Sequence, residues 1–215
     1  VTGVGYVPEG RVEHRGGLLA DGPLHAEHVV MLSGGSLAGN AGLLWCKNSQ
    51  TWQVRGDPTE AAFLVAERKL GVHERRGQRF ERLREIPFTA DRKMMSSIEI
   101  DHEHDDQIIL ISKGAPDMLL ERCTRARVGL TVVALDDTLR GRALAAIESM
   151  SDAALRTLAV AYRPLDVTEN PDATETALEA LEHDLIFVGT VGMIDSPRPE
   201  VAGAIGEAQR AGIRV

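Results

Sequence analysis

The chain has 215 residues, 43% of them hydrophobic and 26% charged, and its 24 basic and 32 acidic side chains give a formal net charge of −8. That length suits one large domain or two modest ones, and the composition excludes a disordered polymer. The negative balance leaves no general field to attract nucleic acid, so an anionic ligand needs a local pocket.

Along the chain, residues 1–12 read as an extended edge turning at Pro8-Glu-Gly10, and the apolar spacing over 24–32 predicts a helix. Runs at 43–46 and 51–54, parted by Asn48-Ser49, predict a hairpin that hands over to a helix over 58–70, stopped by Gly71. In that helix Ala61, Ala62, Leu64, Val65 and Ala66 form the expected apolar side. Three runs that alternate or are rich in β-branched residues, 80–88, 93–100 and 107–112, predict antiparallel strands joined by loops. Pro116 suits the first turn of a helix reaching Arg122, 139–150 predicts a longer helix, and 157–162 and 184–191 read as further strands around a surface loop at 164–176. Strands and helices cluster without regular βαβ units, so the fold class is α+β, with a twisted, mainly antiparallel sheet flanked by helices.

At Asp195-Ser-Pro-Arg-Pro199 two prolines make a stiff connector, which divides the chain into a domain over 1–194 and a truncated unit over 195–215. Ala211-Gly-Ile-Arg-Val215 reads as a helix end followed by the start of a strand, so the chain is expected to be a piece of a larger protein. The longest uncharged stretch, 29–46, is broken by glycines, Ser33, Ser36 and Asn40 and is a poor membrane span, so the piece is expected to be soluble. Cys46 and Cys123 are the only cysteines; a reducing compartment fits them, with a single disulfide left open.

The chemistry gathers around lysine. Only four lysines stand against twenty arginines, and two of the four fall in Phe88-Thr-Ala-Asp-Arg-Lys93 and Ser112-Lys113-Gly-Ala-Pro116. Where almost every base is Arg, a retained Lys marks a place for a slim ammonium. Lys113 ends an apolar strand and precedes Gly114, which permits close approach to the main chain, and then a helix N-terminus. Phe88 offers a face for a base, although a lone Phe is more often core. Lys93, after a turn through Asp91, could reach phosphate or stand as a solvated strand-edge residue. Glu60, in Gly56-Asp-Pro-Thr-Glu60, occupies the first turn of a helix, where a carboxylate favours the dipole with or without a ligand. Arg156 interrupts an apolar run and points to an anion in a cleft or to a structural salt bridge. His102-Glu-His104-Asp-Asp106 contains metal-capable groups but reads as a solvated hairpin loop, and no metal site is expected.

Taken in order, these segments resemble the nucleotide-binding domain of P-type cation-transporting ATPases, in the calcium-pump-like and sodium-pump-like branch. The stretch from Val1 to Gly10 is similar to the strand opening that domain, Gly56-Asp-Pro-Thr-Glu60 to its acidic helix start, and 88–96 to its adenine-stacking segment. Ser112-Lys-Gly-Ala-Pro116 resembles its nucleotide signature, Leu155-Arg-Thr-Leu-Ala159 its phosphate-contacting segment, and 191–198 its hinge to the phosphorylation domain. The resemblance implies ATP as ligand, with Phe88 stacked on adenine, Glu60 at the adenine edge, Lys113 and Gly114 along ring and ribose, and Lys93 and Arg156 facing the phosphates. It places Asp195 and Arg198 in the hinge. It further implies Mg2+ in the full-length parent, the phosphorylation and actuator domains as partners, and a location on the cytoplasmic side of a membrane. Two departures stand out: Ala90 where calcium pumps often carry Arg, and Ser196 in place of the first hinge proline. The aspartate of an Asp-Lys-Thr-Gly-Thr motif is absent from the sequence, so this piece alone is expected to show no ATPase turnover. A free-standing ATP-sensing module and an interaction domain with a vestigial pocket remain open as alternatives.

Overall fold

The computed structural model describes residues 1–166, 169, 174–194 and 199–214. A small antiparallel pair, β1 (Glu13–His14) and β2 (Gly17–Leu18), precedes α1 (Pro23–Leu37). The strands β3 (Gly42–Cys46) and β4 (Thr51–Arg55) form a separate hairpin, followed by α2 (Pro58–Leu70) and a short α3 (His73–Arg79). Then come β5 (Phe80–Thr89), β6 (Met94–Asp101), β7 (Gln107–Gly114), α4 (Pro116–Glu121), β8 (Cys123–Val128) and β9 (Thr131–Ala134). The chain continues through α5 (Asp137–Asp152), β10 (Arg156–Pro164), α6 (Glu175–Glu179), β11 (Leu185–Met193) and α7 (Pro199–Arg210).

Seven strands form one sheet in the order β5-β6-β7-β10-β11-β8-β9. Every neighbouring pair is antiparallel except β11–β8. The pleat sends alternate residues to opposite faces, and each face buries its own core. On one side Ile109, Ile111 and Val160 meet Met31 and Leu32 of α1 and Phe63 of α2. On the other, Leu110, Ala159 and Ala161 meet Leu119 and Leu120 of α4 and Leu178 of α6. This is the α+β sheet flanked by helices that the sequence predicts.

Local chemistry sets the elements that matter for the site. Asp57 caps α2, its Oδ1 accepting from the Thr59 and Glu60 N–H groups at 2.7 and 3.3 Å, Pro58 opens the helix, and Gly71 ends it with a left-handed φ of 81°. Helix α1 runs past the expected 24–32 because two glycines within it are packing positions. A Cβ on Gly35 would stand 2.2 Å from ring atoms of Phe63, and one on Gly34 would stand 2.9 Å from Val160 Cγ1. Two expectations need correction. The buried positions of α2 are Ala61, Phe63, Val65 and Glu67, while Ala62 and Leu64 are only half-buried, because this helix is covered from more than one side. Residues 1–12 form no strand; the Thr2 N–H donates to the Arg11 carbonyl at 2.9 Å, closing a loop. The short elements α3, β8, β9, α6 and the β1–β2 pair are additions to the pattern the sequence predicts. Asp195, Ser196 and Arg198 lie outside the described residues.

Candidate functional site

Lys113 is the last side chain before Gly114 on β7, and β7 is flanked by β6 and β10, so it does not sit at a sheet edge. The residue is 4% exposed. Its Nζ donates to Glu60 Oε1 at 3.2 Å and to the Gly35 carbonyl at 3.1 Å, and it lies 5.3 Å from the centroid of the Phe63 ring. Burial pushes the Lys113 ammonium below the ordinary lysine range, against the opposing pull of the Glu60 and Asp57 carboxylates. Glu60 does more than favour the dipole of α2: its Oε2 accepts from the Asn40 and Ala41 N–H groups at 2.8 and 3.1 Å, tying α2 to the segment after α1.

The carbonyl end of α1 meets cations supplied by the sheet. Besides Lys113 on the Gly35 oxygen, Arg82 Nη2 donates to the Leu37 carbonyl and, at 3.0 Å, to that of Gly39. The helix has no basic residue of its own in its last turn.

Gly114 faces Met94 across β6–β7 and Ala159 across β7–β10. A Cβ there would come within 2.5 Å of the Lys93 carbonyl oxygen and 2.5 Å of Met94 Cβ. The close approach that demands glycine is thus made by the neighbouring strand itself. The Ala115 N–H donates to the Lys93 carbonyl at 2.9 Å, which pins Lys93 beside the Lys113-Gly114 end of β7. Lys93 adopts a left-handed φ of 53° at the β5–β6 turn and leaves its side chain exposed.

Phe88 is 61% exposed, which removes the core reading of this ring. It lies on the edge strand β5 within a break of register between Ile86 and Thr89, where Pro87 has no N–H for the ladder. Arg156, exposed, opens β10 opposite Met193. Burial works against ionisation of Asp57, but bonds from Thr59 and Glu60, with the nearby Arg156 charge, hold its carboxyl below the usual range. Among the described residues neither Lys93 nor Arg156 forms an ion pair, so both keep their charge available.

Glu60, Lys113 and Gly114 therefore converge at one end of the sheet, with the Lys93 main chain against them, Phe88 on the adjoining hairpin and Arg156 facing the cap of α2. The surface is open: two cavities, of about 1160 and 510 Å³, flank α1 and neither is lined by these six residues. Phe63 and Gly35, which hold the Lys113 ammonium, are signalled in the sequence only by the glycine pair of α1. His102 bonds Asp106 at 2.6 Å and His104 bonds Asp101 at 2.9 Å, and among the described residues no group of three or more His, Cys, Asp or Glu could hold a metal ion. Cys46 and Cys123 are free thiols.

A family model described as P-type ATPase, cytoplasmic domain N, matches residues 30–200. The chain is 35% identical over 215 residues to a calcium-transporting ATPase of Bacillus subtilis, covering all of this chain and 23% of that protein. It is 40% identical over 160 residues to calcium-transporting ATPase 1 of Bacillus cereus, 74% of this chain and 17% of the relative. It is 31% identical over 242 aligned positions to the endoplasmic reticulum-type calcium-transporting ATPase 3 of Arabidopsis thaliana, again all of this chain and 23% of the relative. The chain thus spans less than a quarter of the length of these relatives. With the family match covering the whole seven-stranded sheet and most of the helices packed on it, the chain belongs to the P-type ATPase family, as its cytoplasmic domain N.

Proposed function

We propose that this domain holds ATP and presents it to an aspartate in an adjacent domain of a P-type ATPase that transports a cation, calcium by the names of the relatives. The observation that carries this reading is the buried Lys113–Glu60 pair at 3.2 Å, set beside the Lys93 main chain at the end of the sheet that also bears an exposed Phe88. In this reading the adenine stacks on Phe88, Glu60 and Lys113 bound the base and ribose, and Lys93 and Arg156 meet the phosphates. Binding is weak: one stacked base and a few solvated charges amount to about −4 kcal/mol, a millimolar dissociation constant. Mg2+ travels with the phosphates and neutralises their charge, since the described residues form no cage for it. The domain contributes position and orientation, and the terminal phosphoryl group is transferred elsewhere in the parent. Residues 195–215 form the hinge and first helix of the phosphorylation domain, with Asp195 and Arg198 in the hinge and the actuator domain as a further partner.

An amide NMR titration with ATP tests this. Saturable shifts over residues 88–116, abolished by Phe88→Ala, support the reading; a chain that gives no saturable response is an interaction domain with a vestigial pocket.

A further inference from the structure

We propose that Arg92 is a positioning residue for the adenine face: its guanidinium, anchored on buried Glu182, grips the chain on both sides of Phe88. The proposal rests on the ATP-site reading above. Phe88 projects into solvent from an edge strand, so its ring has little packing of its own to fix it, and the backbone at residues 87 and 89 decides where it stands. Those two residues are the ones Arg92 holds. Its Nη2 donates to the Pro87 carbonyl and its Nε to Thr89 Oγ1 at 3.1 Å.

The other side of the same guanidinium points inward. Nη1 donates to Glu182 Oε1 at 2.7 Å, and Nε lies 3.2 Å from Glu179 Oε1 of α6. Arg92 is 9% exposed and Glu182 1% exposed. Glu182 Oε1 also accepts from Ser96 Oγ at 2.7 Å, and Ser96 shares a hydrogen bond of 2.8 Å with Ser112, the residue before Lys113. Arg122 secures the other side of Glu182, donating to its carbonyl at 3.1 Å and standing 3.7 Å from Oε2. One network, closed across 90 residues of sequence, therefore references the Phe88 loop to the strand that carries Lys113. A planar fork with several fixed donors can make these bonds together; an ammonium cannot.

The test is Arg92→Lys in this chain, which keeps the charge opposite Glu182 and so keeps the fold, but cannot reach Pro87 and Thr89 together. ATP and adenosine are titrated by NMR, and amide hydrogen exchange over residues 88–93 is measured without nucleotide. We expect both affinities to fall by the same factor, about tenfold, as when a stacking surface is misplaced. Exchange over 88–93 should accelerate while the thermal midpoint stays close to that of the parent. Thr89→Val, which removes one arm and leaves the buried charges alone, should give a smaller loss. Phe88→Ala should lose more than Arg92→Lys, because the clamp acts only through that ring. A drop for ATP with adenosine unaffected would make Arg92 a phosphate contact and overturn the proposal, as would unchanged affinities in Arg92→Lys when the wild-type chain binds. If the wild-type chain does not bind ATP, the nucleotide reading falls, and the exchange measurement alone judges the clamp: unchanged exchange in Arg92→Lys overturns it.

Discussion

Replacing Lys113 by Met should abolish ATP binding at only a modest cost in stability. The substitution removes the bonds to Glu60 and Gly35, at 3.2 and 3.1 Å, and leaves a chain of similar volume on the Phe63 ring. It does not strand Glu60, whose side chain is 17% exposed and still accepts from two backbone N–H groups. The charge it deletes is one that burial already disfavours. Relief of that desolvation offsets the lost pair and leaves mainly the buried Gly35 carbonyl without its donor, so the expected loss is about 1–3 kcal/mol, against about 3–5 kcal/mol when a buried charged partner is left unpaired. The sign of the pH dependence follows from the same residue. Because the folded chain releases this proton more readily, the unfolded state binds more protons between the lowered folded value and about 10.4, and wild-type stability rises with pH across that window. The Met variant should lack that rise. Urea melts followed by circular dichroism at neutral and alkaline pH, with calorimetry against ATP, provide the measurements. A loss above about 3 kcal/mol, or retained ATP heat, would refute the reasoning.

Other outcomes follow from the same geometry. Gly114→Ala forces a Cβ to within 2.5 Å of backbone and Cβ atoms across β6–β7, and should lower the urea midpoint by the equivalent of about 1–3 kcal/mol. Cys46, partly exposed and with its thiol pKa lowered by hydrogen bonding to Ser49, should alkylate readily in the native state. Cys123, its thiol pushed up to about 12 by burial, should react only on unfolding, which mass spectrometry of labelled peptides distinguishes. Burial raises the Asp101 carboxyl, but the Arg79 fork, with Nε on Oδ1 at 2.7 Å, holds it below its ordinary value. Its contribution is present above about pH 3.9 and is lost as pH falls through the depressed folded value, so Asp101→Asn should flatten the acid limb of a melting-temperature profile.

The long elements were legible because period and punctuation agreed. Asp57-Pro58 and Gly71 bound α2, and alternation marked β5, β6 and β7. Helix α1 was shortened because Gly34 and Gly35 count against a helix locally, while their role is to admit Phe63 and Val160, contacts that no sequence window contains. The strands β8 and β9 are short, and β9 is exposed throughout, so neither carries a strong alternation. At the site, strand, glycine and helix start pointed to Lys113 together. The exposure of Phe88 ran against its residue type, and Glu182 sits in Leu181-Glu-His-Asp184, a polar stretch whose burial is decided by partners 90 residues away.

The carbonyl end of α1 gives the site a direction. Lys113 and Arg82 answer the partial negative charge of that terminus, and Glu60 adds a full one, so the Lys113 ammonium has little attraction left for a polyanion. Lys93 and Arg156 form no ion pair among the described residues, and only the Asp57 carboxylate lies near enough to Arg156 to act on its charge. In the proposed nucleotide reading, a molecule that is uncharged at one end and highly anionic at the other should therefore enter in one sense only, its flat end toward Lys113 and its charged end away from α1. The polarity of a helix terminus, set before any ligand arrives, would then decide which end of the ligand is offered outward.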